Sequence, residues 1–118
     1  MANQAKGERT LKIGEKTYTV FFDMNAIAEL EDALGMTMPQ IAEVMQDPTR
    51  VGVKFIRAIL WAGLRRHHSK EVQTLEDAGD LMTKADSIAD VSETIGEAFS
   101  AAFAKDAERA GRQKKRTK

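Results

Sequence analysis

Apolar periodicity changes once along this chain, and the change falls at residues 23–35, Asp-Met-Asn-Ala-Ile-Ala-Glu-Leu-Glu-Asp-Ala-Leu-Gly. Upstream the apolar residues alternate, as in a strand; downstream they recur at helical spacing. Within the stretch, Met24, Ile27, Leu30 and Leu34 form one helical stripe. Asp23 is placed to cap the first free N–H groups, where its charge also suits the positive end of the helix dipole. Gly35 fits the left-handed position past the helix end, with Met36 folding back on Leu30. The stretch therefore joins a small β element to a helical body. The fold class that follows is α+β, mostly α: an N-terminal β-hairpin and about five helices packed as a small bundle.

The hairpin is read over residues 9–22. Leu11 and Ile13 alternate on one strand, and Tyr18, Val20 and Phe22 on the other. A four-residue loop of Gly14, Glu15, Lys16 and Thr17 sets Ile13 opposite Tyr18, apolar against apolar. A two-residue turn would set Ile13 opposite Lys16, so the longer loop is preferred. Phe21 points to the other face, where a second layer or a partner would cover it.

Four further helices follow. Thr37 and Gln40 make a capping box ahead of a short helix with Met38, Ile41, Ala42 and Met45 inward. Asp47 and Pro48 read as cap and first residue of a third helix running to about Arg66. Its core face is Val53, Ile56, Ile59, Leu60, Gly63 and Leu64, and Gly63 suggests a close helix–helix approach. Thr74 opens a fourth helix with Leu75, Ala78, Leu81 and Met82 inward. A fifth starts near Asp86 or Ser87, with Ile88, Val91, Ile95, Phe99, Ala102 and Phe103 on one face. Residues 1–8 read as a flexible lead and 9–104 as a single globular domain. Residues 105–118 read as a basic tail lacking structure, being charged and free of large apolar side chains.

Charge is balanced overall but not along the chain. The last fourteen residues hold seven basic and two acidic side chains, a net +5 that leaves −5 on the rest. This is a mildly acidic body with a basic end, not a uniformly basic nucleic-acid binder. The chain has no cysteine, which excludes disulfides and thiolate chemistry. The longest apolar run, residues 58–64, falls far short of the roughly 18–20 residues of a membrane span. With no apolar signal-peptide core either, the expectation is a soluble intracellular protein.

Nothing in the sequence carries catalysis. No Gly-rich phosphate loop follows a strand, and no nucleophile–base set stands out. His67 and His68 are neighbours, roughly 100° apart on a helix, and do not share a metal as an i, i+4 pair would. They read as a solvated helix end. Glu29, Glu31 and Asp32 read as a solvated face rather than an acid–base pair. No catalytic residue, metal or cofactor is expected.

The candidate contact residues lie on two other helix faces and on Phe21. Lys54, Arg57, Trp61 and Arg65 follow i, i+3, i+7, i+11 spacing on the third helix. An aromatic among basic side chains anchors an acidic partner or stacks on a base, unless Trp61 merely closes the core edge under the basic stems. Asp86, Asp90, Glu93 and Glu97 follow i, i+4, i+7, i+11 on the fifth helix, opposite its apolar face. Either this row is solvated or it meets the basic row of another copy, head to tail. In the second case, charge reversal at Arg57 and Arg65 lowers the sedimentation coefficient; an unchanged value dismisses the contact.

The order of parts carries a resemblance. A hairpin with Gly14 at its turn runs into residues 25–35, ending Leu30-Glu31-Asp32-Ala33-Leu34-Gly35. A short helix precedes residues 55–65, with the phrase Leu60-Trp61-Ala62-Gly63-Leu64, and an Ala/Phe-rich helix ends the pattern. Over residues 7–104 this resembles the small tail assembly chaperones of long-tailed bacteriophages. It is most similar to the type in phage-like gene transfer agents, which some classifications label a tail tube protein. The resemblance implies a non-enzymatic protein of the bacterial host cytoplasm. It implies binding to the long helical tape measure protein, and to the tail tube protein, during tail assembly. A structural tail protein kept in the particle is the alternative reading. A small nucleic-acid-binding regulator is a third, which salt-dependent DNA retardation tests.

Overall fold

In the computed structural model, residues 7–116 are described, with side chains as far as Ala102. Two strands, β1 (Arg9–Ile13) and β2 (Lys16–Val20), precede five helices. These are α1 (Met24–Leu34), α2 (Met38–Met45), α3 (Val53–His68), α4 (Leu75–Lys84) and α5 (Ile88–Arg116). The expected α+β architecture is present: an antiparallel hairpin followed by a helical body. α3 lies at its centre, packed against β2, α1, α4 and α5, while α5 also crosses β1. Residues 105–116 carry the α5 backbone onward; the side chains of Phe103 and of the basic residues after it lie outside what is described, as do residues 1–6 and 117–118 entirely.

The hairpin closes with the two-residue turn, which corrects the expected register. Ile13 pairs with Lys16, Leu11 with Tyr18 and Arg9 with Val20. The two registers differ by two residues, so they place the same side chains on the same face, and alternation cannot choose between them. Turn chemistry decides. Gly14 adopts φ +63° at the first turn position while Glu15 stays at negative φ, the demand of a type II′ turn. Lys16 does not suffer opposite Ile13, because its ammonium lies 5.2 Å from the Tyr18 ring centroid and pairs with Glu71.

Leu11, Ile13, Tyr18 and Val20 are buried under the helices. The close approach expected at Gly63 is made to this hairpin and not to another helix. A Cβ on Gly63 would lie 2.8 Å from Val20 Cγ1 and 2.9 Å from Phe22 Cζ. The Phe21 N–H donates to the Gly63 carbonyl at 2.9 Å, so strand end and helix meet backbone to backbone. One turn on, the Thr19 N–H donates to His68 Nε2 at 3.0 Å. The outer edge of β2 is thus satisfied by α3, a need that every buried or half-buried strand edge must meet somehow.

Most helix ends follow local rules. Asp23 Oδ1 accepts the Ala26 N–H, and Gly35 ends α1 at φ +64°. Thr37 with Gln40, and Thr74 with Asp77, form capping boxes for α2 and α4. Ser87 Oγ accepts the Asp90 N–H ahead of α5. The exception is α3. It starts after Gly52, with no side-chain cap, five residues later than Asp47-Pro48 suggested. Asp47 instead accepts from the Thr49 N–H and hydroxyl, closing a separate turn in which the Arg50 N–H bonds its carbonyl. The Thr49 hydroxyl, then the Thr49 amide, holds the Asp47 carboxyl below its usual pKa.

Three expected core residues face water: Met24 (57% exposed), Val53 (68%) and Ile88 (40%). Each is the first residue of its helix. Side chains tilt toward the helix N-terminus, so a first residue projects past the packed layer. Phe55, Val44 and Ala98, outside the predicted stripes, are buried in their place. Two residues assigned to a solvated acidic face are engaged instead. Glu31 Oε2 accepts the Met38 N–H at 2.8 Å, and Glu29 pairs with Arg65.

Replacing Gly63 by Ala forces its new methyl into Val20 and Phe22. Urea unfolding should show a loss of about 1–3 kcal/mol in stability. An unchanged midpoint would mean that the hairpin does not sit on α3 as described. Gly35→Ala is expected to cost about 1 kcal/mol through the left-handed position alone, read in the same way.

Candidate interaction surfaces

The predicted basic face of α3 is not one open stripe. Lys54 is exposed, but Arg57 lies against α4. A Cβ on Gly79 would fall 3.3 Å from Arg57 Cδ, so the arginine stem crosses α4 where that helix has no side chain. Arg57 Nε is buried and makes no hydrogen bond within the described residues. Trp61 is half-buried, and its indole N–H donates to the Gln73 carbonyl at 3.2 Å, in the connection between α3 and α4. Arg65 Nη1 lies 3.4 Å from Glu29 Oε1 on α1, an exposed pair worth only about 0.2–1 kcal/mol. Helical spacing brings these residues to one face, and three neighbouring elements then divide it.

The acidic row of α5 stays on the surface. Asp86, Asp90, Glu93 and Glu97 are all exposed. The row is not bare, because β1 lies beside it. Glu97 Oε1 is 4.0 Å from Arg9 Nε, and Asp86 and Asp90 share a recess of about 250 Å³ with Lys12 and Gly14 at the hairpin turn. One member of each row thus meets opposite charge within the chain: Arg65 at Glu29 and Glu97 at Arg9. Phe21 is half-buried; its ring packs edge-on against His67 with centroids 6.4 Å apart, and His67 Nε2 in turn lies 2.9 Å from Glu8 Oε2.

One concave surface was not foreseen from helical spacing. An apolar cleft of about 350 Å³ opens between α2, the first turns of α3, and α5. Met45 lines it from α2, Phe55 and Ile59 from α3, and Ile95, Gly96 and Phe99 from α5. Ser92 and Ser100 flank Gly96 at i ± 4 along α5, so small side chains keep that side low. Spacing of small residues was the available signal, but it says nothing until α2 and α3 are brought alongside. Met45 Cε would lie 3.6 Å from a Cβ on Gly96, ordinary contact, so the flexible methionine of α2 reaches α5 at that point.

Among the described residues no group of three or more His, Asp or Glu side chains is arranged to hold a metal ion. No described helix is long and apolar enough to cross a membrane.

Residues 6–105 match the family model described as phage tail tube protein, GTA-gp10. The chain belongs to that family. No curated protein and no solved structure matches it. As a tail-related protein of the GTA-gp10 family, it has its cleft, acidic row and both specific phrases inside the matched span. Those phrases now have structural meanings. Leu30-Glu31-Asp32-Ala33-Leu34-Gly35 buries Leu30, closes α1 at Gly35 and caps α2 through Glu31. Leu60-Trp61-Ala62-Gly63-Leu64 buries its aliphatic residues, ties Trp61 to the α4 connection and seats the hairpin on Gly63.

Trp61→Phe keeps the ring contact and removes the indole donor. It should cost about 1 kcal/mol, with the α3–α4 connection exchanging its amides faster. If Trp61 instead serves mainly as an exposed anchor, stability will be unchanged.

Proposed function

We propose that this protein is a non-enzymatic tail assembly chaperone that holds the tape measure protein, and hands it to the tail tube protein, in the cytoplasm of the bacterial host. Membership of a phage-tail family supplies the setting. The observation that carries the chaperone reading is the apolar cleft between α2, α3 and α5. A long amphipathic helix needs its apolar stripe covered until a tube forms around it, and a shallow cleft with an adaptable methionine in its lining covers such a stripe weakly and reversibly. Bound helix is then displaced by tube subunits without a chemical step, so neither cofactor nor catalytic residue is called for. The remaining candidate contacts are Lys54, Asp86, Asp90, Glu93 and Phe21, which lie at or near the surface.

A second reading, that of a tube-associated structural protein, is favoured by the family description itself. Mass spectrometry of purified particles separates the two: a chaperone is absent or at trace level, whereas a structural protein is present in many copies.

Co-expression with the long helical protein encoded alongside should give a soluble complex that co-purifies. Ser100→Arg, placing a charge at an exposed α5 position that lines the cleft, should lower that association by about tenfold or more while leaving the circular dichroism spectrum and unfolding midpoint of the free protein intact. Undiminished binding by the variant removes the cleft from the mechanism, and failure of the native pair to associate removes the chaperone.

A further inference from the structure

The C-terminal end of α3 carries a device that the proposed function does not use. His68 is largely covered by β2 and the following turn, with 14% of its side chain exposed. Its Nε2 accepts the Thr19 N–H at 3.0 Å. A ring nitrogen that accepts has no proton, so the proton of the neutral imidazole sits on Nδ1, where Glu71 Oε1 accepts it at 3.2 Å. The Tyr18 ring packs edge-on against the imidazole with centroids 5.0 Å apart. The arrangement permits one tautomer of one charge state. A second proton must go on Nε2, where it would meet another donor.

We infer that His68 is a proton-sensitive latch that closes the outer edge of β2 while neutral and releases it when protonated. The groups around it set the balance. Burial opposes a positive charge most, and His67 on α3 and then Lys16 on β2 oppose it further. Glu71, in the turn after α3, favours the charge, but it is already shared with Lys16. Glu8 pairs with His67. The His68 pKa is accordingly held below its ordinary value of 6.5. The folded protein then binds fewer protons at this site than the unfolded chain, so stability is full above the ordinary histidine range and is lost as pH falls through the folded value. Release leaves the Thr19 N–H without an acceptor, whereas the Phe21 N–H keeps the Gly63 carbonyl, which does not titrate. The latch therefore opens the turn end of the hairpin edge and leaves its root seated, exposing a strand edge able to pair with another chain.

Amide hydrogen exchange and histidine NMR between about pH 7.5 and pH 5 test this. The protection factor of the Thr19 amide, corrected for intrinsic exchange, should fall with the His68 ring titration by up to about tenfold per pH unit below its midpoint. Phe21 should not follow it. His68→Gln supplies an acceptor oxygen that does not titrate, and should make the Thr19 profile flat. A flat Thr19 profile in the native protein, or a fall that persists in His68→Gln, overturns the latch. Should the variant fail to fold, the native protein still decides: Thr19 and His68 midpoints must coincide, and separate midpoints refute the coupling.

Discussion

The carbonyl of Gly63 accepts the Phe21 amide across a gap with no room for a side chain. The rest of the structure depends on that contact. A two-stranded sheet is not stable alone in water, and this one has no third strand within the described residues. It survives because its buried face lies on helices and its exposed edge bonds to α3. Val20 and Phe22 reach the helix backbone only because residue 63 is glycine. Phe22 then meets Phe99 edge-to-face, ring centroids 5.6 Å apart, which ties α5 to the same seat. Hairpin, central helix and last helix are thus held at one point, and α1, α2 and α4 pack around them.

The connections between elements are built from short local rules. Glu31 shows how much one residue does: its carbonyl accepts from Gly35 and Met36 at the end of α1, and its carboxylate accepts the Met38 amide at the start of α2. One residue therefore ties the end of α1 to the start of α2. On α4, Asp77 closes the capping box with Thr74 and also accepts the Gln73 amide, whose carbonyl holds Trp61. The aromatic that the sequence offered as a contact anchor is bound into the helix–helix connection.

Charge rows behaved differently from apolar rows. An apolar stripe largely predicts its own fate, since burial is favourable for it, and here, among the described residues, only the first residue of three helices escapes it. A charged stripe can be solvated, paired within the chain or reserved for a partner, and spacing is the same in all three cases. Arg65 found Glu29, Arg57 was drawn over Gly79, and Glu97 lies by Arg9. Each neighbour comes from an element distant in sequence. The cleft was hidden for the same reason: Met45, Phe55 and Phe99 line one cleft only once three helices have converged.

The sequence by itself determined the elements, most of their caps, and the phrases that carry the family. Those are local properties: periodicity, capping chemistry and the left-handed freedom of Gly14 and Gly35 act over a few residues. Tertiary structure decided the hairpin register, the partner of Gly63, the role of His68, the exposure of the first residue of three helices, and the existence of the cleft. Register and partner are decided by contacts between segments far apart in the chain, where two arrangements with the same alternation differ only in what they touch. His68 makes the point in one residue. Its place at a helix end reads as solvated, and only the strand that folds back beside it turns the imidazole into a hydrogen-bond acceptor.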